Sequence, residues 1–311
     1  MDSAIGIVTR DRPEQLDRTL QSIISQSVLP NEILIADDSV SLQDETEELV
    51  LEIREKNHMN NIDITYIRQE EGWTLPEARN ILLNRSESEI ICYVDDDVVC
   101  PENWLYAIQQ RYESDEDIAA VGGPALKTND DLEPVSKTIQ DGTGRNSINE
   151  YGEVTDMSGR WVPPQAVSVP LFRGANMSFK SSKLTAIGGF DPEYKGMSIF
   201  EEWDTMTRLY KKGEKLIYDP SSLLYHLETA SGGSRTVSSY PGTYWYARNG
   251  IRFRKKYVSD VNLNRSLFRF ITSEKGGSPS IGQIIRGLSS GDISVGYWLK
   301  GYWDGYWQER A

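Results

Sequence analysis

The chain has 311 residues, enough for one large α/β domain or two halves around a shared sheet. Hydrophobic residues make up 38% and charged residues 26%, which excludes a disordered chain and fits a globular one. With 33 Lys and Arg against 47 Asp and Glu the net charge is −14, which argues against nucleic acid as a partner, because phosphate binding needs clustered positive charge.

The first ninety residues alternate regularly. AIGIV at 4–8 is a short apolar run that predicts a buried strand. Asp11 and Pro13 then signal a helix start, and Leu16, Leu20, Ile23 and Ile24 give that helix one apolar face. EILIAD at 32–37 is a second strand, and Leu42, Leu49, Val50 and Ile53 line a second helix. IDITYI at 62–67, LPEARNILLN at 75–84 and EIICYV at 89–94 read as strand, helix and strand, with another helix starting near Pro101. Such alternation implies a parallel sheet with right-handed crossovers, whose ligands bind at the carboxyl ends of the strands. Residues 127–165, rich in Asn, Asp, Gly, Thr and Pro, read as a long surface excursion over an acceptor site. Apolar character resumes at 167–172, a helix is expected near 200–212 and a strand at 215–219. Residues 228–242 read as a mobile loop, and the last seventy as largely helical.

Strand two ends in Asp37-Asp38-Ser39, and strand four in Asp95-Asp96-Asp97. Adjacent carboxylates repel one another unless something positive sits among them, and Mg²⁺ or Mn²⁺ is the simplest such partner. A crevice without a Gly-rich phosphate loop would neutralise a diphosphate through that metal. In EEWD at 201–204, Glu201 and Asp204 share one helical face while Glu202 points away from Glu201.

The sequence resembles a family 2 glycosyltransferase with the GT-A fold, from about residue 4 to 230. The pieces are IVTRDRPEQL at 7–16, ILIADDS at 33–39, GWTLPEARN at 72–80, YVDDDV at 93–98, FRGANMSF at 172–179, GGFDP at 188–192, EEWDTMTRL at 201–209 and YDPSSLLYH at 218–226. The resemblance implies a Rossmann-like, mostly parallel central sheet flanked by helices. It implies a nucleotide-binding half at 1–99 and an acceptor and catalytic half at 100–230, followed at 231–311 by a loop and a helical extension. It also implies inverting transfer from a UDP-, GDP- or dTDP-linked sugar to a hydroxyl acceptor, which a lipid-linked glycan would supply in cell-surface glycan, glycoprotein or glycolipid assembly. Thr9 and Asp38 would contact the nucleoside. Arg79 would lie near the nucleotide or form a structural ion pair. Asp95 and Asp97 are the outer residues of the DXD motif, with Asp97 the direct metal ligand and Asp96 nearer the ribose. His226 would reach the metal or the diphosphate. The base is expected at Glu202, where the family usually has Asp, with Asp204 in reserve. Gly174, Ala175 and Asn176 would line the sugar and acceptor side, and loop 228–242 would close over the donor.

Two rival classes stand beside this reading. DDDVV at 95–99 fits the Asp-x-Asp-x-Val pattern of haloacid dehalogenase phosphatases, but that motif normally follows the first strand of the core. The other rival is a binding protein that keeps the crevice and has lost catalysis.

Tyr297-Trp298, Tyr302-Trp303 and Tyr306-Trp307 each follow a Gly and fall on one broad helical side, with Lys300 and Arg310 nearby. They suit a membrane interface, packing on the main domain, or a dimer. RNGIRFRKKY at 248–257 is a basic patch, either solvated or meeting a diphosphate. Cys92, Cys100, His58 and His226 do not have the spacing of a disulfide framework or a zinc cluster, so a reducing interior is expected. The N-terminus does not read as a signal peptide, and no apolar run approaches the ~18–20 residues of a membrane span. The expectation is a cytoplasmic protein, either free or peripheral at the inner face of the membrane.

Overall fold

A computed structural model of the chain describes residues 1–57, 62–68, 72–140, 146–155, 159–227, 241–272 and 293–307. The first half alternates as expected. It comprises β1 (Ser3–Thr9), α1 (Pro13–Ile24), β2 (Glu32–Asp37), α2 (Gln43–Lys56), β3 (Asp63–Arg68), α3 (Leu75–Arg85) and β4 (Ile90–Asp95). β1, β2 and β4 are buried almost end to end, as strands covered on both faces must be. α1 buries Leu16, Leu20 and Ile23 on the sheet. α3 opens with a capping box, in which Thr74 N donates to Glu77 Oε2 at 2.8 Å and Glu77 N donates to Thr74 Oγ1.

The second half adds β5 (Val98–Val99), α4 (Trp104–Glu113), β6 (Ile118–Gly122), β7 (Ala125–Lys127), β8 (Ser147–Ile148), β9 (Val154–Thr155), β10 (Val167–Ser168) and β11 (Asn176–Lys180). Then come α5 (Ser181–Thr185), α6 (Glu201–Lys211), β12 (Lys215–Tyr218), β13 (Leu224–His226), α7 (Gly242–Tyr257), α8 (Asp260–Thr272) and a last helix, α9 (Ile293–Trp307). The eight-stranded sheet runs β10-β12-β6-β11-β4-β1-β2-β3. β3, β2, β1 and β4 are mutually parallel, whereas β11 is antiparallel to both of its neighbours. The order switches direction around β1, the position at which ligands bind in such sheets. Register keeps the strand ends level, since Thr9 pairs with Asp37 and Val8 with Asp95.

A second sheet, β5-β13-β7, crosses the carboxyl end. It pairs His226 with Val98, one residue beyond the aspartate triplet, and Leu227 N donates to Asp97 O.

The extension is fastened by close packing and buried charge. A Cβ on Gly301 would fall 2.2 Å from Tyr244 O, and one on Gly305 2.6 Å from Arg248 O, so these glycines let α9 lie directly on α7. Arg252 and Lys256 reach Asp191, and Arg269 forks onto Glu153.

The excursion expected at 127–165 is mostly exposed over residues 129–140 and is tied to α8 further on, where Tyr151 O and Glu153 are held by Ser266 and Arg269. Two readings need correction. The tail aromatics do not share one side: Trp298 is buried, whereas Trp303 and Trp307 are exposed. The basic patch at 248–257 is turned largely inward, with Arg248, Arg252 and Arg254 all buried. Of the loop expected to close at 228–242, residues 228–240 lie outside the described residues. No described helix is long and apolar enough to cross a membrane.

Candidate active site

The carboxyl ends of β1, β2 and β4 open into a crevice with a cavity volume of about 200 Å³. Its walls include Thr9, Arg10, Arg12, Asp38, Trp73 and the triplet Asp95-Asp96-Asp97 with His226.

The triplet turn is pinned from α1. Thr19 Oγ1 donates into Asp96 O and Val98 O and accepts from Val98 N. Asp96 faces inward, accepting from Thr9 Oγ1 at 2.9 Å and Arg12 Nη1 at 2.8 Å. Burial pushes its carboxyl up to about 6, although Arg12 beside it pulls the other way. Arg12 also reaches Asp97 Oδ2 at 3.3 Å.

Asp95, Asp97 and His226 each offer an atom within 4.8 Å of the others. His226 Nε2 lies 3.0 Å from Asp97 Oδ1 and 3.5 Å from Asp95 Oδ2. Burial alone would lower the imidazole, but the Asp97 hydrogen bond and the two negative charges outweigh it and raise its pKa. The place is therefore built to stabilise positive charge. Its donors, two carboxylates and one imidazole, suit a divalent cation, and the acidic cluster these residues form is one that could bind a metal.

At the other end, Asp38 Oδ1 accepts from Trp73 N at 2.9 Å and Oδ2 accepts from Arg10 Nη1. Asp37 does not share in this. It is fully buried and spent on Tyr66 OH and Ser39 N. Asp11, at φ +52, accepts from the backbone N–H groups of Val40, Ser41 and Leu42, tying the two strand-end loops together.

Glu202 stands beside the triplet, outside the crevice lining. Burial raises its carboxyl above the usual range, Arg79 and Arg173 pull it back, and Asp95 pushes it up further. A Cβ on Gly174 would touch Glu202 Cγ at 3.4 Å, so the two adjoin. Arg79 is only 4% exposed, paired with Glu201 and 3.9 Å from Asp95 Oδ1. The ion-pair alternative for Arg79 is therefore the one the geometry displays.

Two expected site residues are placed elsewhere. Asp204 is fully buried, accepting from Tyr194 OH, Tyr257 OH and Arg208 Nε with Lys256 alongside. The helix turns it away from Glu202 into this network. Asn176 opens β11 with its side chain between Trp104 Nε1, Pro124 O and Ser222 O, a buried structural clasp. Thr9 lines the crevice, but its hydroxyl is committed to Asp96. Sequence reasoning missed Arg10, Arg12, Trp73 and Arg173, although the first two lie within IVTRDRPEQL, immediately after a strand end where the crevice had to be.

A family model described as "Glycosyl transferase family 2" matches residues 4–162. The glucosyl-dolichyl phosphate glucuronosyltransferase of Haloferax volcanii is 22% identical over 225 residues, covering 70% of this chain and 65% of that protein. A crystal structure of GalNAc-T7 with UDP, GalNAc and Mn²⁺ superposes with a TM-score of 0.60 at 19% identity, over 90% of this chain and 59% of that one. The mannosyltransferase PcManGT from Pyrobaculum calidifontis, in complex with GDP-Man and Mn²⁺, gives 0.56 at 14% identity, over 98% and 87%. The chain thus spans less than two thirds of the length of the first two of these relatives, and the structural likenesses show a shared GT-A fold. The phosphatase reading falls away, because the triplet follows the fourth strand, inside the matched segment. By that match over more than half its length, the chain belongs to glycosyl transferase family 2.

Proposed function

We propose that this protein moves a sugar from a nucleotide-diphosphate donor to a hydroxyl acceptor with inversion, using Glu202 as the base. One observation carries the proposal. Asp38 and the Asp95–Asp97–His226 group flank β1 on opposite sides, at level strand ends. Two strand spacings separate them by roughly 10 Å, about the reach of a nucleoside from its base edge to its 5′-phosphate.

Asp38, with Arg10 and Trp73 beside it, would take the base, since a carboxylate accepts from ring N–H groups. Asp95, Asp97 and His226 would hold the metal. Mn²⁺ suits the mixed oxygen and nitrogen set better than Mg²⁺, which prefers oxygen alone. A bound divalent ion would stabilise charge on the departing diphosphate as a Lewis acid. Arg12 orients Asp96 and Asp97. Glu202 would accept the acceptor's proton, and its raised pKa makes it a better base than an ordinary glutamate. Gly174 leaves room beside it for a sugar ring. UDP and GDP sugars are both candidate donors, given the UDP and GDP-Man complexes that share the fold. The Haloferax similarity favours a lipid-linked acceptor.

Calorimetric titration with UDP, GDP and dTDP, under Mn²⁺, Mg²⁺ or EDTA, tests the reading. Tight, metal-dependent binding of one nucleotide that Asp97→Asn abolishes is the expected result. No binding of any nucleotide to folded protein overturns it.

A further inference from the structure

The aromatic end of α9 carries an inference independent of the donor crevice. Trp298 and Tyr302 pack inward, over Phe270 and beside Leu263 and Leu267 of α8. Gly301 and Gly305 spend another face of the helix on α7. The face left outside holds Trp303 at 61% exposure, Trp307 at 64% and Tyr306 at 42%. These rings touch one another, with Trp303–Trp307 and Tyr306–Trp307 centroids both 5.4 Å apart, so they form one continuous patch.

Charge distinguishes the last part of the sequence from the rest. Residues 241–311 contain eleven Lys and Arg against five Asp and Glu, whereas residues 1–240 contain 22 against 42. Part of the positive set faces inward, where Arg248, Arg252 and Lys256 meet Glu193, Asp191 and Asp204. Around the patch, Lys255 Nζ donates to Tyr306 O, and Lys300, paired with Asp304, is half exposed.

We propose that the aromatic face of α9, with Lys300 and the neighbouring Lys255 of α7 at its edge, seats the protein on the surface of an anionic lipid bilayer. Trp and Tyr, with one apolar body and one polar edge, are the residues that settle at the headgroup level. The helix has 15 residues, about 22 Å of length against the ~30 Å of a hydrocarbon core, so it lies in the interface rather than crossing it. An anionic surface repels the acidic body and attracts this end, which fixes the orientation. A second copy docked on the same face would set Lys300 and Lys255 against their own counterparts, which disfavours self-association.

The test is sedimentation of the whole protein with phosphatidylglycerol vesicles and with phosphatidylcholine vesicles. Wild type should co-sediment with the first and less with the second, and salt should weaken only the binding to phosphatidylglycerol. Trp303→Ser with Trp307→Ser should lower partitioning by about tenfold while the far-UV spectrum and melting temperature stay unchanged. Lys255→Gln with Lys300→Gln should remove only the preference for phosphatidylglycerol. The proposal is overturned if wild type stays in the supernatant with both lipids, or if the double Trp variant sediments as wild type does. It is also overturned if light scattering shows a dimer that the Trp substitutions dissolve, since the face would then belong to a second copy.

Discussion

Glu202 and Asp204 stand two positions apart at the start of α6, an offset that turns them to different sides of the helix. Glu202 meets Arg79, Arg173 and Asp95 electrostatically, while Asp204 meets two tyrosines, Arg208 and Lys256. Glu202→Gln should cut turnover by ~10²–10⁴-fold, the usual worth of a positioned base, with nucleotide affinity and melting temperature unchanged. Asp204→Asn should do the reverse. Removing one partner from a buried charge network costs ~3–5 kcal/mol, so the melting temperature should drop while turnover per folded molecule holds. If Asp204→Asn instead abolished turnover in folded protein, the two assignments would have to be exchanged. The aspartate triplet was legible in the sequence because three acids close an apolar strand. Asn176 was not, because a polar residue in FRGANMSF reads as a ligand contact until the strand that buries it is known. Phe200, at φ +79 immediately before Glu201, was equally invisible in a linear reading.

At the scale of elements, the four leading strands and their helices were readable from apolar period alone. β6 and β11 were not read as strands, although both are buried in the sheet, and His226 reaches Asp97 only through a second sheet spanning distant segments. The attachment of α7 was hidden too, since it depends on side chains meeting across the fold. Gly196 lines the crevice at φ +65, and a Cβ there would fall 2.1 Å from the Trp245 indole of α7. Gly196→Ala should therefore weaken nucleotide binding and lower the melting temperature together, because the indole must move. Asp191 makes the second attachment. Burial alone would raise its carboxyl, but Arg252, the Glu193 N–H and Lys256 win and hold it at about 2. A pKa held below the unfolded value of ~3.9 contributes stability that is complete above pH ~4 and lost as the pH falls toward 2, on the order of 2 kcal/mol. Melting temperature followed from pH 5 to pH 2 should show that loss in wild type, and Asp191→Asn should lack this component of the decline.

The whole molecule carries −14, the balance of −20 in residues 1–240 and +6 in residues 241–311. Like charges at that density destabilise the compact state through self-repulsion. The ion pairs that matter to the architecture, Arg79–Glu201 and Asp204 with Lys256, are buried and little affected by salt, whereas exposed carboxylates are screened beyond ~10 Å at 0.1 M. Raising KCl from low concentration to ~0.5 M should therefore stabilise the fold, by roughly 1–3 °C in melting temperature if the repulsion relieved is ~1–2 kcal/mol. The same salt should weaken adhesion to anionic vesicles, because that contact is an attraction between opposite charges. Opposite responses to one variable separate the two electrostatic roles. A melting temperature that fell with KCl would mean that the surface acids are individually paired, and the exposed pairs Arg68–Asp44 and Lys215–Asp115 would be the first to examine.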